Sequence, residues 1–127
     1  ICSYPMRTLD GGWGVGHPDH LAAGEAALSA VFPAARDHLT FPELLEAGLE
    51  PHKVAEVWIM SHPEPDLWVD VTDFMDTSVK ALMEHVSQMD GRTQEYMDER
   101  MREWRRRSGI GKGIQQAEAF KRINFRR

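Results

Sequence analysis

The run His17-Pro18-Asp19-His20 places two imidazoles and a carboxylate within four positions. These are the side chains that ligate zinc and move protons in hydrolytic sites. The run stands where a glycine-rich stretch, with Gly11, Gly12, Gly14 and Gly16 around Trp13, enters a helical pattern. Loops at the strand ends of α/β sheets are where active sites collect. His17 and His20 are three apart, so at a helix start both lean toward one side. Pro18 fits a first helical position, where a missing N–H costs nothing. Asp19 falls in the first turn, where the helix dipole favours a carboxylate, and it can orient an imidazole. The same residues also describe a capped helix start with two surface histidines. A catalytic zinc takes about three protein ligands and a water, and this run supplies one or two.

The other histidines offer less. His38 and His52 flank a short helix and read as loop residues, and His85 reads as a mid-helix surface or packing residue. Ser61-His62-Pro63-Glu64-Pro65-Asp66 follows a strand and carries carboxylates, but two prolines one residue apart make an extended connector. There is no Gly-x-Ser-x-Gly nucleophile elbow, and Cys2 has no motif around it. Gly109 to Gly113 shares only glycines with a phosphate loop, because Lys112 precedes Gly113 and not a Ser or Thr.

The elements that must position these residues alternate in type. Ile1–Tyr4 reads as the end of a buried strand. Pro18 to about Phe32 reads as a helix whose Leu21, Leu28, Val31 and Phe32 recur at helical spacing, while Ala22, Ala23, Gly24, Ala26 and Ala27 keep it narrow enough to approach a sheet closely. Phe41–Ala47 reads as a short helix with Thr40 as N-cap and Gly48 as its stop. Val54–Met60 and Leu67–Val71 read as strands. A helix is expected from Thr72 or Asp73 to about Met89, with Phe74, Val79, Leu82, Met83 and Val86 on its apolar face, and another from about Thr93 to Arg107. Gly109, Gly111 and Gly113 read as a flexible link, and Ala117–Phe125 as a last strand or a short helix. Strands separated by helices predict an α/β domain with a mostly parallel sheet. Three or four strands are few for such a sheet, and the chain opens on Ile1, as if inside a strand. The expectation is one domain over residues 1–127, continued by strands upstream of Ile1.

Composition sets the outer bounds. The 127 residues are 42% hydrophobic and 28% charged, which excludes a disordered tail, and no apolar window is long enough for a membrane span. The single cysteine allows no intrachain disulfide, so a reducing, cytoplasmic setting is expected. Residues 1–90 hold 4 Lys/Arg against 15 Asp/Glu, a net of −11, and residues 91–127 hold 11 against 5, a net of +6. A basic C-terminal third on an acidic body raises nucleic acid as a partner. The acids Glu95, Asp98, Glu99 and Glu103 are interleaved with Arg100, Arg102 and Arg105–Arg107, and only Trp104 offers a stacking ring, so a solvated helix face is expected and no nucleic acid.

The blocks HPDH, LAAGEAALSAVFPAAR, FPELLEAGLEPHKVAEVWIM, EPDLWVDVTD and AEAF together resemble the PIG-L/LmbE-like deacetylase family. The resemblance runs from about Tyr4 to Phe120 and matches the second half of that family's domain. It implies a three-layer, Rossmann-like α/β sandwich and a zinc-dependent hydrolase that removes acetyl groups from N-acetylglucosaminyl conjugates, including thiol precursors. By position it implies that His20 is a zinc ligand, that His17 stands beside the scissile carbonyl as acid or electrostatic stabiliser, and that Asp19 orients and tunes His17. The family's first strand ends in His-Pro-Asp-Asp, which supplies two more ligands and the general base. No such motif is present here, and Ser61–Asp66 has Pro65 where its second Asp would stand. Some members carry a tyrosine two residues before the first histidine; Val15 holds that position here, leaving Trp13 as an alternative pocket residue.

The mechanism so implied is metal-assisted amide hydrolysis, with a small sugar conjugate as substrate and Zn2+ as cofactor. The 127 residues alone are expected to be inactive, because most of the metal site is missing. The competing readings are a non-catalytic carbohydrate-binding or scaffold module, and an amidase acting on thiol conjugates.

Overall fold

A computed structural model describes residues 1–9 and 15–125. Trp13 and the glycines at 11, 12 and 14 lie outside the described residues. The elements in order are β1 (Cys2–Ser3), α1 (Pro18–Val31), a 3-10 turn at Ala34–Arg36, α2 (Pro42–Glu46), β2 (Glu56–Met60), β3 (Leu67–Asp70), a 3-10 turn at Thr72–Phe74, α3 (Met75–Met83), α4 (Val86–Met89), α5 (Gln94–Gly109) and β4 (Ala117–Asn124). The chain is mixed α/β, and the strand order is β1-β2-β4-β3. It divides into two compact units, Ile1–Asp66 with Phe120–Arg127, and Leu67–Ala119.

The expectation of a mostly parallel sheet is corrected. β1 runs parallel to β2, with Cys2 opposite Ile59 and Ser3 opposite Met60. β2 runs antiparallel to β4, from Glu56 opposite Asn124 to Met60 opposite Phe120. Parallel pairing needs a crossover that returns the chain to the end of the sheet where it began. The segment carrying α1 makes that return between β1 and β2, whereas β4 enters against the direction of β2. Alternating apolar runs mark a strand but carry no sign of its direction.

In the first unit, Val57 and Ile59 alternate inward on β2 and are buried. The opposite face of β2 holds Trp58, whose ring lies 5.5 Å from that of Phe120, and Glu56, which accepts from Trp58 Nε1 at 3.0 Å and pairs with Arg122 at 3.1 Å. The Asp66 carboxylate receives the Arg122 N–H at 2.8 Å and Lys121 Nζ at 2.9 Å, and these two donors hold its carboxyl below the usual carboxylate range. α1 packs on β1, and Gly24 sits at the contact.

In the second unit, α3 packs on α5, with Met75 and Val79 one turn apart and fully buried. Thr93 caps α5 by accepting from the Tyr96 N–H at 3.2 Å. Gly109 closes α5 and is buried against the Ile114 carbonyl, where a Cβ would overlap that oxygen; it is a packing position and not the link expected of it. Four of the five arginines of α5 are engaged by acids, while Arg100 donates to the Tyr96 hydroxyl at 3.1 Å. Arg102 pairs with Asp98 and Asp76, Arg105 with Glu118, and Arg106 and Arg107 with Glu103, which these two guanidiniums hold below its usual range.

Two further expectations fail locally. The helix expected over residues 72–89 is three pieces. Asp70 accepts from the Thr72 N–H and hydroxyl, which fits a tight 3-10 entry before α3, and the chain leaves helical geometry at His85, with φ −79 and ψ 55. His85 therefore precedes α4 and is not mid-helix. The break resets the helical phase, so Met89 is buried and Val86, expected on the apolar face, is 77% exposed. Thr40 does not cap α2, because its hydroxyl donates to Asp37 Oδ2 at 2.6 Å and Phe41 occupies the cap position without a side-chain bond. Among the described residues, no helix is long and apolar enough to cross a membrane.

The contact of α1 with β1 is testable at Gly24. A Cβ there would overlap the Ser3 carbonyl oxygen and stand 3.2 Å from Pro5 N, both backbone atoms that cannot turn aside. Gly24→Ala is expected to destabilise the protein by about 1–3 kcal/mol, the usual cost of forcing extra volume into a closed contact. Urea denaturation measures this, and a mutant as stable as wild type would show that α1 does not need this close approach.

Candidate functional site at the start of α1

The helix start that carries His17, Asp19 and His20 is built locally. Pro18 occupies the first helical position and His17 the N-cap, with extended backbone at φ −73 and ψ 136. The His17 carbonyl accepts from the N–H groups of His20 and Leu21, both at 3.1 Å, and so closes the first turn. Gly16 immediately before it has φ +80, a left-handed conformation that glycine adopts without penalty. Upstream, Arg7 Nη1 donates to the carbonyl oxygens of Val15 and Gly16, each at 3.2 Å. Val15 stands where the family resemblance places a tyrosine in some members, and its side chain has no polar atom to offer.

His17 itself takes the helix cap. Its Nδ1 accepts the Asp19 N–H at 3.2 Å. A histidine serves as N-cap acceptor only through an unprotonated ring nitrogen, so the neutral His17 ring carries its proton on Nε2. That leaves Nε2–H without a partner among the described residues, on an exposed ring. The Asp19 carboxylate lies 3.7 Å from the same Nδ1, and both side chains are largely exposed. If the ring gains a second proton, Nδ1 becomes a donor, the backbone bond is lost and the Asp19 carboxylate is the acceptor at hand. The His17 and His20 rings are 5.7 Å apart, centroid to centroid, inclined at 51°. The structure thus brings together the three sequence-predicted residues, His17, Asp19 and His20, on one helix start.

The donor set for a metal is incomplete. Among the described residues, no group of three or more His, Cys, Asp and Glu side chains could hold a metal ion. His17 Nδ1 is committed to the cap, so His20 is the clearer candidate ligand of the two. Of the remaining histidines, His62 has its ring engaged elsewhere, and His52 is tied in through its backbone N–H. His62 Nδ1 accepts the Glu64 N–H at 3.0 Å and its ring meets that of Tyr4 edge-on at 4.7 Å, while the His52 N–H donates to the Ala35 carbonyl at 2.7 Å.

Two comparisons bear on this arrangement. The chain is 36% identical over 73 residues to the diacetylchitobiose deacetylase of Thermococcus kodakarensis, a match covering 58% of this chain and 27% of that protein. It also shares the fold of a solved structure, the N,N'-diacetylchitobiose deacetylase of Pyrococcus horikoshii complexed with its inhibitor MPG, with a TM-score of 0.75 at 24% identity over 97% of this chain and 44% of that one. No protein-family model matches the chain. The chain therefore spans about a quarter of the curated relative that it matches and less than half of the solved structure.

Sequence reasoning missed Arg7. Its signal is absent from the motif, because an exposed arginine ten positions upstream of His17 is indistinguishable from any other surface cation until the fold brings it to the Val15 and Gly16 carbonyls. The cap itself is testable apart from any reaction. His17→Ala is expected to cost about 1 kcal/mol of stability, whereas His17→Asn, with a side-chain oxygen that caps equally well, stays within about 0.5 kcal/mol of wild type. Chemical denaturation of the two mutants separates them, and equal stabilities would show that the Nδ1 bond contributes nothing.

Proposed function

We propose that this chain is the C-terminal part of a single deacetylase-type domain, a three-layer, Rossmann-like α/β fold, that removes an acetyl group from an N-acetylglucosaminyl conjugate in a zinc-dependent reaction. The observation that carries the reading is the exposed pair of imidazoles at the start of α1, with the Nε2–H of His17, opposite the cap on Nδ1, unpartnered among the described residues. The similarity to chitobiose deacetylases supports the substrate class, since diacetylchitobiose is a disaccharide of N-acetylglucosamine. The setting proposed is cytoplasmic, where the lone thiol of Cys2 stays reduced.

In this reading His20 gives one zinc ligand, and the others come from outside the described residues. Zinc, when bound, supplies Lewis acidity and an activated water. The work of this chain's own residues is distinct from that. His17, with its proton on Nε2, donates a hydrogen bond to the acetyl oxygen as negative charge develops there. To protonate the departing amine from Nε2, the ring must first take up the proton that the attacking water gives up, and Asp19 then receives Nδ1–H in place of the broken cap bond. Asp19 is thus the group that lets His17 change from hydrogen-bond donor to acid.

The test uses the full gene product that contains this sequence, with N,N'-diacetylchitobiose as substrate and released acetate as readout. His17→Ala and His17→Asn are both expected to lower kcat by about 10²–10³ with zinc content unchanged, the range for losing one acid or oxyanion donor. Asp19→Asn is expected to lower it less and to shift the pH profile, while His20→Ala loses most of the zinc and nearly all turnover. His17→Asn is the decisive variant, because it keeps the cap and removes the imidazole with its Nε2–H and its capacity for proton transfer. Full activity in His17→Asn would leave His17 a capping residue, and a wild-type protein that binds no zinc and releases no acetate would leave a non-catalytic module.

A further inference from the structure

The geometry points to Arg7 as the positioning residue for His17, an inference that rests on the deacetylase reading for its effect on turnover and on the hydrogen bonds alone for its effect on structure. Arg7 Nη1 donates to two consecutive carbonyl oxygens, those of Val15 and Gly16, each at 3.2 Å, across eight and nine positions of sequence. The second of these oxygens belongs to the peptide plane that ends at the nitrogen of His17. A peptide is rigid about its C–N bond, so holding the Gly16 oxygen also fixes the direction in which the His17 N–Cα bond leaves.

The need for such a hold lies in the residues between. Gly16 at φ +80 is the conformation that this residue enters freely and also leaves freely. A Cβ at Gly16 would stand 3.2 Å from Leu21 Cδ2, so a stiffer residue is opposed by the first turn of α1. The chain has therefore a hinge-like residue immediately before its candidate catalytic histidine. On the other side, His17 is held by its own cap bond to Asp19 and by the closure of the first turn on its carbonyl. Arg7 supplies the missing constraint on the N-terminal side. Two acceptors on one guanidinium nitrogen define a direction, and a charged donor makes the stronger kind of hydrogen bond. A lysine at the same place offers a point charge on a freer stem and holds the two oxygens less well. The ring of His17 is exposed, so packing does not fix it and the backbone on either side must.

Arg7→Ala and Arg7→Lys in the full gene product test this, with kinetics, zinc content and amide hydrogen exchange measured on the same samples. For Arg7→Ala, kcat is expected to fall about tenfold to a hundredfold, the scale of a misplaced catalytic group, with KM within about threefold and zinc unchanged. Arg7→Lys is expected to recover part of the loss. Amide exchange is expected to rise in the segment from Gly16 to Leu21 in Arg7→Ala, with the remainder of α1 unchanged. A raised KM at constant kcat would make Arg7 a substrate contact and overturn the inference, as would loss of zinc or an unchanged kcat. Exchange that rises over the whole of α1 would make Arg7 a general stabiliser and also overturn it. If the wild-type protein has no deacetylase activity yet the local exchange responds as stated, the deacetylase reading fails while Arg7 keeps its structural role.

Discussion

The close approach of α1 to β1 is the constraint from which the candidate site follows. Gly24 lies against the Ser3 carbonyl oxygen with no room for a Cβ. That contact fixes α1 along and across the first strand of the sheet, and β1 is itself fixed by its parallel register with β2. His20 is one turn before Gly24, and His17 is at the cap three residues earlier. A shift of the helix by the width of a methyl group would carry both imidazoles with it. The small residues of α1 therefore matter less for helix propensity than for the distance they permit. The exposed rings depend on backbone placement, because no surrounding core grips them.

A second layer of control acts at the helix terminus. An N-cap is ordinarily a Ser, Thr, Asp or Asn, whose only duty is to satisfy a free N–H. Here an imidazole does it, and the choice has a chemical consequence: capping selects the tautomer. With Nδ1 turned to the Asp19 N–H, a neutral ring carries its proton on Nε2. A serine would cap as well but would leave no ring donor. The residue thus joins a folding role and a candidate reactive role in one side chain, and mutation to alanine confounds the two, whereas asparagine keeps one and discards the other.

Much of this was legible in the sequence, and the reasons are local. Pro18, the alanine-rich run and Pro33 define α1 without reference to anything else, and the helix is observed at Pro18–Val31. The strand expected over Val54–Met60 is found at Glu56–Met60 because β-branched and aromatic residues alternate there. What failed is what depends on distant partners. The antiparallel course of β4 is set by where the chain stands after α5, which no pattern within Ala117–Asn124 records. The break at His85 turns Met89 inward, and the apolar period continued through it misleadingly to Val86. Likewise His17, Asp19 and His20 could be marked as a group by spacing, but the cap on Nδ1 needed the φ and ψ of His17, and the reach of Arg7 needed the fold.

The spacing of three between His17 and His20 gives two identical side chains different prospects. His17 precedes the first turn and spends one ring nitrogen on the helix. His20 lies within the turn, and its backbone N–H is already satisfied by the His17 carbonyl at 3.1 Å. Its imidazole owes the helix nothing. A zinc ligand needs an unprotonated ring nitrogen at the metal and gains from a partner on the other nitrogen. Among the described residues nothing takes either ring nitrogen of His20, so both can serve that arrangement, while for His17 the cap and a metal compete, since metal on Nε2 requires the proton to move to Nδ1 and the Asp19 N–H to lose its acceptor. The helix start therefore favours an unequal division of labour on the proposed reading: His20 toward the metal, and His17 with its Nε2 proton toward the substrate oxygen. The asymmetry arises from hydrogen-bond bookkeeping at one N-cap and would be absent if the same two histidines stood a turn deeper in the helix.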